Sequence, residues 1–276
     1  MGVGGVAGGD IGVMGELKDG DERREGERAG WDARSVGMSA CFGAVTLALS
    51  VPLLAVMLLI SPLVYVLDRD QRRAHHALSR VWAKWSTWLF YKTTVSGAGE
   101  EESRLLGGSL AFPPVVVANH QSYLDVYALL HLRCPFKFVS KQSIFFVPLI
   151  GPAMFLTGHV MLRRRDKTGR SQAAMMTRCR TLLTRGVPVC IFPEGTRSST
   201  GCVGGFKLGA FKLACDTGAP VVPVTICGTR RGLLGAVSSG VVVTVHPLIR
   251  PEMCGSDPAE LARLARAAVV SGLKAG

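Results

Sequence analysis

The string Asn119-His120-Gln121-Ser122-Tyr123-Leu124-Asp125 places an imidazole five positions before a carboxylate. On a continuous helix five positions rotate such a pair about 140° out of alignment, so the two meet only if the chain turns between them. The spacing predicts a corner between a strand end and a helix start, where the carboxylate can hold the tautomer of a general base. A capping aspartate beside an incidental histidine is spelled the same way. A second string, Phe192-Pro193-Glu194-Gly195-Thr196-Arg197-Ser198, joins a glycine that frees the backbone to hydroxyl donors at Thr196 and Ser198. It also carries Arg197, whose guanidinium suits bidentate phosphate recognition, although a polar turn can be written with the same residues. No G-x-S-x-G elbow or Walker loop occurs, and His75, His76, His131, His159 and His246 lack partners at metal-ligand spacing, so no metal is expected.

Each string follows a run that reads as a strand: Val115-Val116-Val117 before His120, and Val187-Pro188-Val189-Cys190-Ile191 before Glu194. Further runs at 136–139, 159–162, 221–226 and 241–245 read as strands, and helical spacing covers 123–132, 168–185, 206–217 and 258–272. Asp257 before Pro258 has the pattern of an N-cap and a first helical residue. Strands alternating with helices in this way predict an α/β sheet layered with helices.

With 276 residues, 48% hydrophobic and 19% charged, the chain can bury a large core, is too apolar for disorder, and leaves apolar surface for a second solvent. Its net charge of +12 suits an anionic partner: a membrane surface, a phosphorylated small molecule or nucleic acid, though no nucleic-acid recognition module is present. Residues 1–35 hold eight acidic and five basic side chains, show no hydrophobic period, and read as a disordered charged tail without the character of a transit peptide. Residues 35–67 contain no Asp, Glu, Lys, Arg or His, and about 20 apolar residues suffice to cross a bilayer. A membrane element is expected there, with Pro52 and Pro62 leaving a tilted span and a re-entrant hairpin both open. Leu78, Val81, Trp82, Trp85 and Leu89, beside Arg80, Lys84 and Lys92, predict an amphipathic helix in the headgroup zone, a core-packed Trp stripe being the alternative. The basic residues Arg69, Arg72, Arg73, Arg80 and Lys84 place the domain that follows on the cytoplasmic face. Ser143 to Gly158 is too short and Pro-interrupted to span a bilayer, and is expected to face an acyl chain or lipid, core packing being the rival. The eight cysteines are scattered without a C-x-x-C and read as reduced thiols.

Over about residues 113–230 these strings together resemble the membrane glycerophospholipid acyltransferase family, most nearly its 1-acylglycerol-3-phosphate acyltransferases. The family's His-x4-Asp block is matched by Asn119 to Asp125, and its Lys-led segment by Lys141-Gln142-Ser143-Ile144-Phe145-Phe146-Val147-Pro148-Leu149-Ile150-Gly151. Gly158-His159-Val160-Met161-Leu162-Arg163-Arg164 matches the Gly-x-x-Phe-Ile-Asp-Arg block, except that Arg163 stands where the family usually places Asp and reverses the local charge. The Glu-Gly-Thr-Arg block is Glu194 to Arg197, followed by Phe206-Lys207-Leu208-Gly209-Ala210-Phe211, and the apolar Pro block is Val221-Val222-Pro223-Val224.

The resemblance implies a mixed, mainly parallel sheet layered with helices behind an N-terminal membrane helix or helix pair. The division is then a tail over 1–35, a membrane helix or hairpin with an interfacial helix over 36–95, and an acyltransferase domain over 96–276. It implies transfer of a fatty acyl group from acyl-CoA or acyl-carrier protein to the free hydroxyl of lysophosphatidic acid, with no cofactor. His120 would be the base and Asp125 its orienting carboxylate; Lys141, Arg164 and Arg197 would hold the phosphate, and Glu194, Gly195 and Thr196 would shape the glycerol site. Partners would be membrane lipids, lysophosphatidic acid and the acyl donor, and not nucleic acid. Acyltransferases acting on glycerol 3-phosphate or another lysophospholipid share these motifs, as would a non-catalytic lipid-binding protein of the same fold.

Overall fold

The computed structural model describes residues 33–97, 113–163, 166, 168–198 and 200–274; the charged tail up to residue 32 and the candidate Arg164 lie outside the described residues. The chain divides into a unit ending at Cys41, described as helix from Ala33, and a unit from Phe42 onward that holds the sheet and every site residue discussed below.

Helix α1 (Ala33–Leu67) continues through Pro52 and Pro62. At about 1.5 Å per residue it is roughly 50 Å long, against about 30 Å for a hydrocarbon core. Among the described residues it is the one helix long and apolar enough to cross a membrane. After a corner at 68–72, α2 (Arg73–Trp88) returns antiparallel to it. His75 Nε2 lies 3.1 Å from Ser61 Oγ and 3.0 Å from the Met57 carbonyl, Trp82 donates its indole N–H to Ser50 Oγ at 2.9 Å, and Phe42 meets Phe90 edge-on at 5.2 Å. The turn therefore falls after the apolar run, not at its prolines. Of the Trp stripe, Trp82 packs inward, whereas Trp85 and Trp88 are exposed.

Strands β1 (Thr93–Gly97), β2 (Val115–Ala118), β3 (Lys137–Lys141), β4 (Val160–Leu162), β5 (Val189–Ile191), β6 (Val221–Cys227) and β7 (Val241–Val245) form one sheet in the order β1-β7-β6-β2-β5-β3-β4. All neighbours pair parallel except β6 with β7, the mixed and mainly parallel sheet expected. Central strand β2 is buried along its whole length, which is why it reads as an unbroken apolar run. Helices α3 (Leu124–Leu129), α4 (Ile150–Thr157), α5 (Arg170–Thr184), α6 (Gly209–Thr217), α7 (Gly232–Ser239) and α8 (Pro258–Lys274) complete the layers. Leu182 and Leu183 of α5, Phe211 and Leu213 of α6 and Leu261 of α8 close one core over Val115, Val117, Val189 and Val221. Asp257 caps α8 by accepting the amides of Ala259 and Glu260 at 3.0 and 3.3 Å.

Three elements have no counterpart in the sequence reading. Strand β1 is a five-residue edge strand ending in Ser-Gly, and α7 carries two glycines and two serines, so neither shows a strong period. In α4 the pair Gly151-Pro152 masks the helix, yet Pro is tolerated in a first turn, and a Cβ on residue 151 would lie 2.0 Å from the Phe145 carbonyl oxygen. The cysteines are free; burial pushes the thiols of Cys134 and Cys179 up to about 12.

Lys137, which opens β3, is fully buried and donates its ammonium to the Gln71 carbonyl at the hairpin corner. Burial, and then the Arg72 guanidinium, push its pKa down from 10.5 to about 7. Above pH 7 the unfolded chain thus binds a proton that the folded chain has lost, so this group makes stability rise with pH. We expect the Tm to increase from about pH 7 to about 8, before the unfolded thiols ionise, and Lys137→Met to remove that increment. Parallel pH profiles for the two proteins would show that the ammonium stays charged in the fold.

Candidate active site

Strands β2 to β6 run parallel and end at one edge of the sheet, the edge at which open α/β sheets gather ligands. His120 lies two residues past β2, Lys141 ends β3, Arg163 follows β4, Glu194 to Arg197 follow β5, and Thr229 follows β6. Topology thereby collects what the sequence scatters.

At the end of β2 the ladder continues through a side chain: Asn119 Nδ2 donates to the Ile226 carbonyl at 2.9 Å, and its Oδ1 accepts the Ile226 amide at 2.8 Å. The chain then turns as the spacing predicts, and α3 carries Asp125 back beneath the imidazole. Asp125 is fully buried. Its Oδ2 lies 2.8 Å from His120 Nδ1 and accepts the amides of Gln121 at 2.6 Å and Ser122 at 2.8 Å; its Oδ1 accepts the Thr229 hydroxyl at 2.6 Å. A carboxylate oxygen surrounded by donors acts as an acceptor, so Nδ1 bears the ring hydrogen and Nε2 keeps its lone pair. Phe192 stacks on the imidazole at 4.1 Å and 19° and fixes the ring plane. The imidazole is 18% exposed, and Nε2 has no hydrogen-bond partner among the described residues.

Glu194 holds the same histidine from the other side. Its Oε1 accepts the His120 amide at 2.8 Å and its Oε2 the Gly204 amide at 2.9 Å, while the Ser198 amide donates to the His120 carbonyl at 2.8 Å. Both carboxylate oxygens of Glu194 are thus engaged by backbone. Gly195 has φ 74°, and a Cβ there would come within 2.7 Å of Lys207 Nζ, so glycine lets the lysine lie across the loop. Thr196, Arg197 and Lys141 are exposed at this edge, and no hydrogen bond of their side chains is found among the described residues. Arg163 is also exposed; three residues on, hydrogen bonds from the Thr168 hydroxyl and from backbone hold the Asp166 carboxyl below its usual range. Beyond Lys141, a 3-10 turn (Gln142–Phe146) and α4 expose Phe146 and Phe155 while burying Phe145, an apolar surface beside the polar edge.

The structure thus joins His120, Asp125 and Glu194 directly and sets Lys141, Gly195, Thr196 and Arg197 along the same edge. Thr229, 104 residues from the carboxylate it touches, is absent from the sequence reading. Its only signal is a hydroxyl just past a strand that pairs with β2. Glu194→Gln would turn an amide NH2 toward one of the two backbone N–H groups, and an unsatisfied buried donor costs about 1–3 kcal/mol. For a chain of this size that lowers the Tm by roughly 2–10 °C in a thermal melt. An unchanged Tm would mean that the clamp adds no stability.

Residues 108–227 match a family model described as Acyltransferase. The chain is 42% identical over 242 residues to a 1-acyl-sn-glycerol-3-phosphate acyltransferase of Chlamydomonas reinhardtii, covering 84% of this chain and 68% of that one. It is 42% identical over 211 residues to the chloroplastic BAT2 enzyme of that name from Brassica napus (75% and 59% covered), and 39% identical over 235 residues to the chloroplastic LPAT1 of Arabidopsis thaliana (84% and 64%). The chain spans about two thirds or less of the length of these relatives. The crystal structure of the 1-acyl-sn-glycerophosphate acyltransferase PlsC from Thermotoga maritima superposes with a TM-score of 0.60 at 24% identity, covering 83% of this chain and 97% of that one, and shares its fold.

Proposed function

The chain belongs to the 1-acyl-sn-glycerol-3-phosphate acyltransferase family, and from that premise we propose that it acylates the free hydroxyl of lysophosphatidic acid from a fatty acyl thioester, forming phosphatidic acid. The observation that carries this reading is His120, with Nδ1 tied to a buried carboxylate and Nε2 free, on the sheet edge that also bears Lys141 and Arg197. Nε2 accepts the hydroxyl proton as the acceptor oxygen bonds to the thioester carbonyl carbon. Collapse of the tetrahedral intermediate breaks the C–S bond, and the imidazolium returns the proton to the departing thiolate. Asp125 balances the transient charge on the ring.

Lys141, Arg164 and Arg197 anchor the phosphate of the acceptor through their positive charge. Gly195 and Thr196 shape the glycerol site, and Glu194 acts on it through the backbone of His120. The exposed Phe146 and Phe155 offer the acyl chain an apolar wall. The donor is acyl-CoA or acyl-carrier protein. Residues 36–95 associate the chain with a membrane and 96–276 form the acyltransferase domain, with β1 lying across that boundary. The basic set Arg69, Arg72, Arg73, Arg80 and Lys84 after the apolar run favours a catalytic domain on the cytoplasmic face.

The test is the purified chain in detergent, given acyl-CoA or acyl-carrier protein crossed with lysophosphatidic acid, glycerol 3-phosphate and other lysophospholipids, and read by thiol release and lipid mass spectrometry. We expect phosphatidic acid from lysophosphatidic acid. Acylation of glycerol 3-phosphate alone would overturn the acceptor, and lysolipid binding without thiol release from either donor would leave a lipid-binding protein.

A further inference from the structure

A cavity of about 310 Å³ is lined by Tyr65, Arg69, Asp70, Arg72, Arg178 and Arg185. It lies away from the catalytic residues. Gln71 beside it donates to the Gly186 carbonyl, ahead of β5, and Lys137 reaches the Gln71 carbonyl from the start of β3, so the cavity sits at the amino edge of the sheet, opposite His120. Four guanidiniums share it with one carboxylate. Asp70 is already paired with Arg185 at 2.9 Å. Arg72 is used by the fold: its guanidinium donates to the carbonyls of Phe155 and Leu156 at 2.8 and 3.0 Å and to that of Arg69 at 3.0 Å, and lies 4.5 Å over the Tyr65 ring. Arg69 and Arg178 remain, with no side-chain hydrogen bond or ion pair among the described residues.

Two further features mark this corner. The buried Lys137 ammonium is destabilised first by burial and then by Arg72, the Asp68 carboxylate offsets part of this, and Arg178 adds a smaller repulsion. Arg72 itself holds a left-handed backbone, φ 49°, that a residue with a side chain adopts only where its surroundings enforce it. Immediately before the cavity the end of α1 exposes Leu63, Val66 and Leu67, so an apolar surface that suits lipid gives way directly to a basic hollow, the order of chemistry met at a lipid headgroup layer.

We propose that this cavity binds a phosphate group between Arg69 and Arg178, assisted by Arg185, and that its source is the headgroup of an anionic phospholipid rather than the acyl acceptor. Guanidiniums match phosphate oxygens in pairs, and a phosphodiester would offset the repulsion among the four arginines. Because Arg72 also caps the carbonyl end of α4, an occupied cavity steadies the helix that follows Phe146. The site does not depend on the proposed reaction.

The test uses the full chain in detergent with phosphatidylglycerol, phosphatidylcholine or inorganic phosphate, following lipid retention by native mass spectrometry and phosphate binding by calorimetry. Wild type is expected to retain phosphatidylglycerol over phosphatidylcholine. Arg69→Gln with Arg178→Gln should weaken that retention at least about tenfold, whereas Arg197→Gln, at the catalytic edge, should not. Saturable binding of inorganic phosphate with the same sensitivity to the double variant, but without lipid preference, would keep the site and assign it a soluble phosphate compound. Both arginines are exposed, and the charge-preserving Arg69→Lys with Arg178→Lys should bind measurably at an unchanged Tm, which separates loss of charge from loss of fold. Equal binding by wild type and the Gln double variant, or no saturable binding of either anionic probe, overturns the proposal.

Discussion

Replacing His120 with alanine is expected to lower kcat by about 10²–10⁴-fold, the range a positioned general base contributes, with the KM for lysophosphatidic acid little changed. The fold should survive the change. The Oδ2 of Asp125 would still accept the amides of Gln121 and Ser122, its Oδ1 the Thr229 hydroxyl, and Glu194 would still accept the amide of residue 120. No buried carboxylate is stranded, so the Tm should stay near that of the wild type. Thiol release in the steady state, beside circular dichroism of the variant, checks both halves. Undiminished turnover by a folded His120→Ala protein would remove the proposed mechanism.

Asp125→Asn carries the second large effect, and the surrounding donors decide how large. In a Ser-His-Asp triad the corresponding change costs about 10⁴ in kcat because the imidazole is held in the wrong tautomer. Here two backbone amides already point at the Oδ2 position, so an asparagine places its oxygen there and its NH2 toward Thr229, whose hydroxyl can rotate to accept. Nδ1 then keeps its hydrogen and Nε2 its lone pair; what is lost is the negative charge that steadies the imidazolium. We expect a fall in kcat of about 10²-fold, toward the lower end for general-base catalysis, with KM nearly unchanged. A loss as deep as that of a triad aspartate would show that the tautomer has flipped and that the two amides do not control the side chain.

Much of this protein is legible in its sequence because the signals are local. The apolar run ahead of Asp68 is a matter of uninterrupted composition, and buried strands such as Val115-Val116-Val117 show as short β-branched runs. The His120–Asp125 pair is readable because both residues belong to one corner of chain, where spacing alone forces a turn. The blocks around Lys141 and Glu194 could be recognised as strings, but their shared edge depends on β2, β3 and β5 running parallel.

Tertiary structure decided the rest. That Thr229 completes the carboxylate, and that Glu194 grips the His120 backbone, follows from β6 and β5 flanking β2; those bonds span 104 and 74 residues. The place of the hairpin turn was likewise set by α2 packing back along α1, not by Pro52 or Pro62. The arginine cavity draws on the corner after α1 and on α5, more than 100 positions apart. Strand order is chosen by which apolar faces can be buried together, and that choice leaves no period along the chain from which such distant partners could be read.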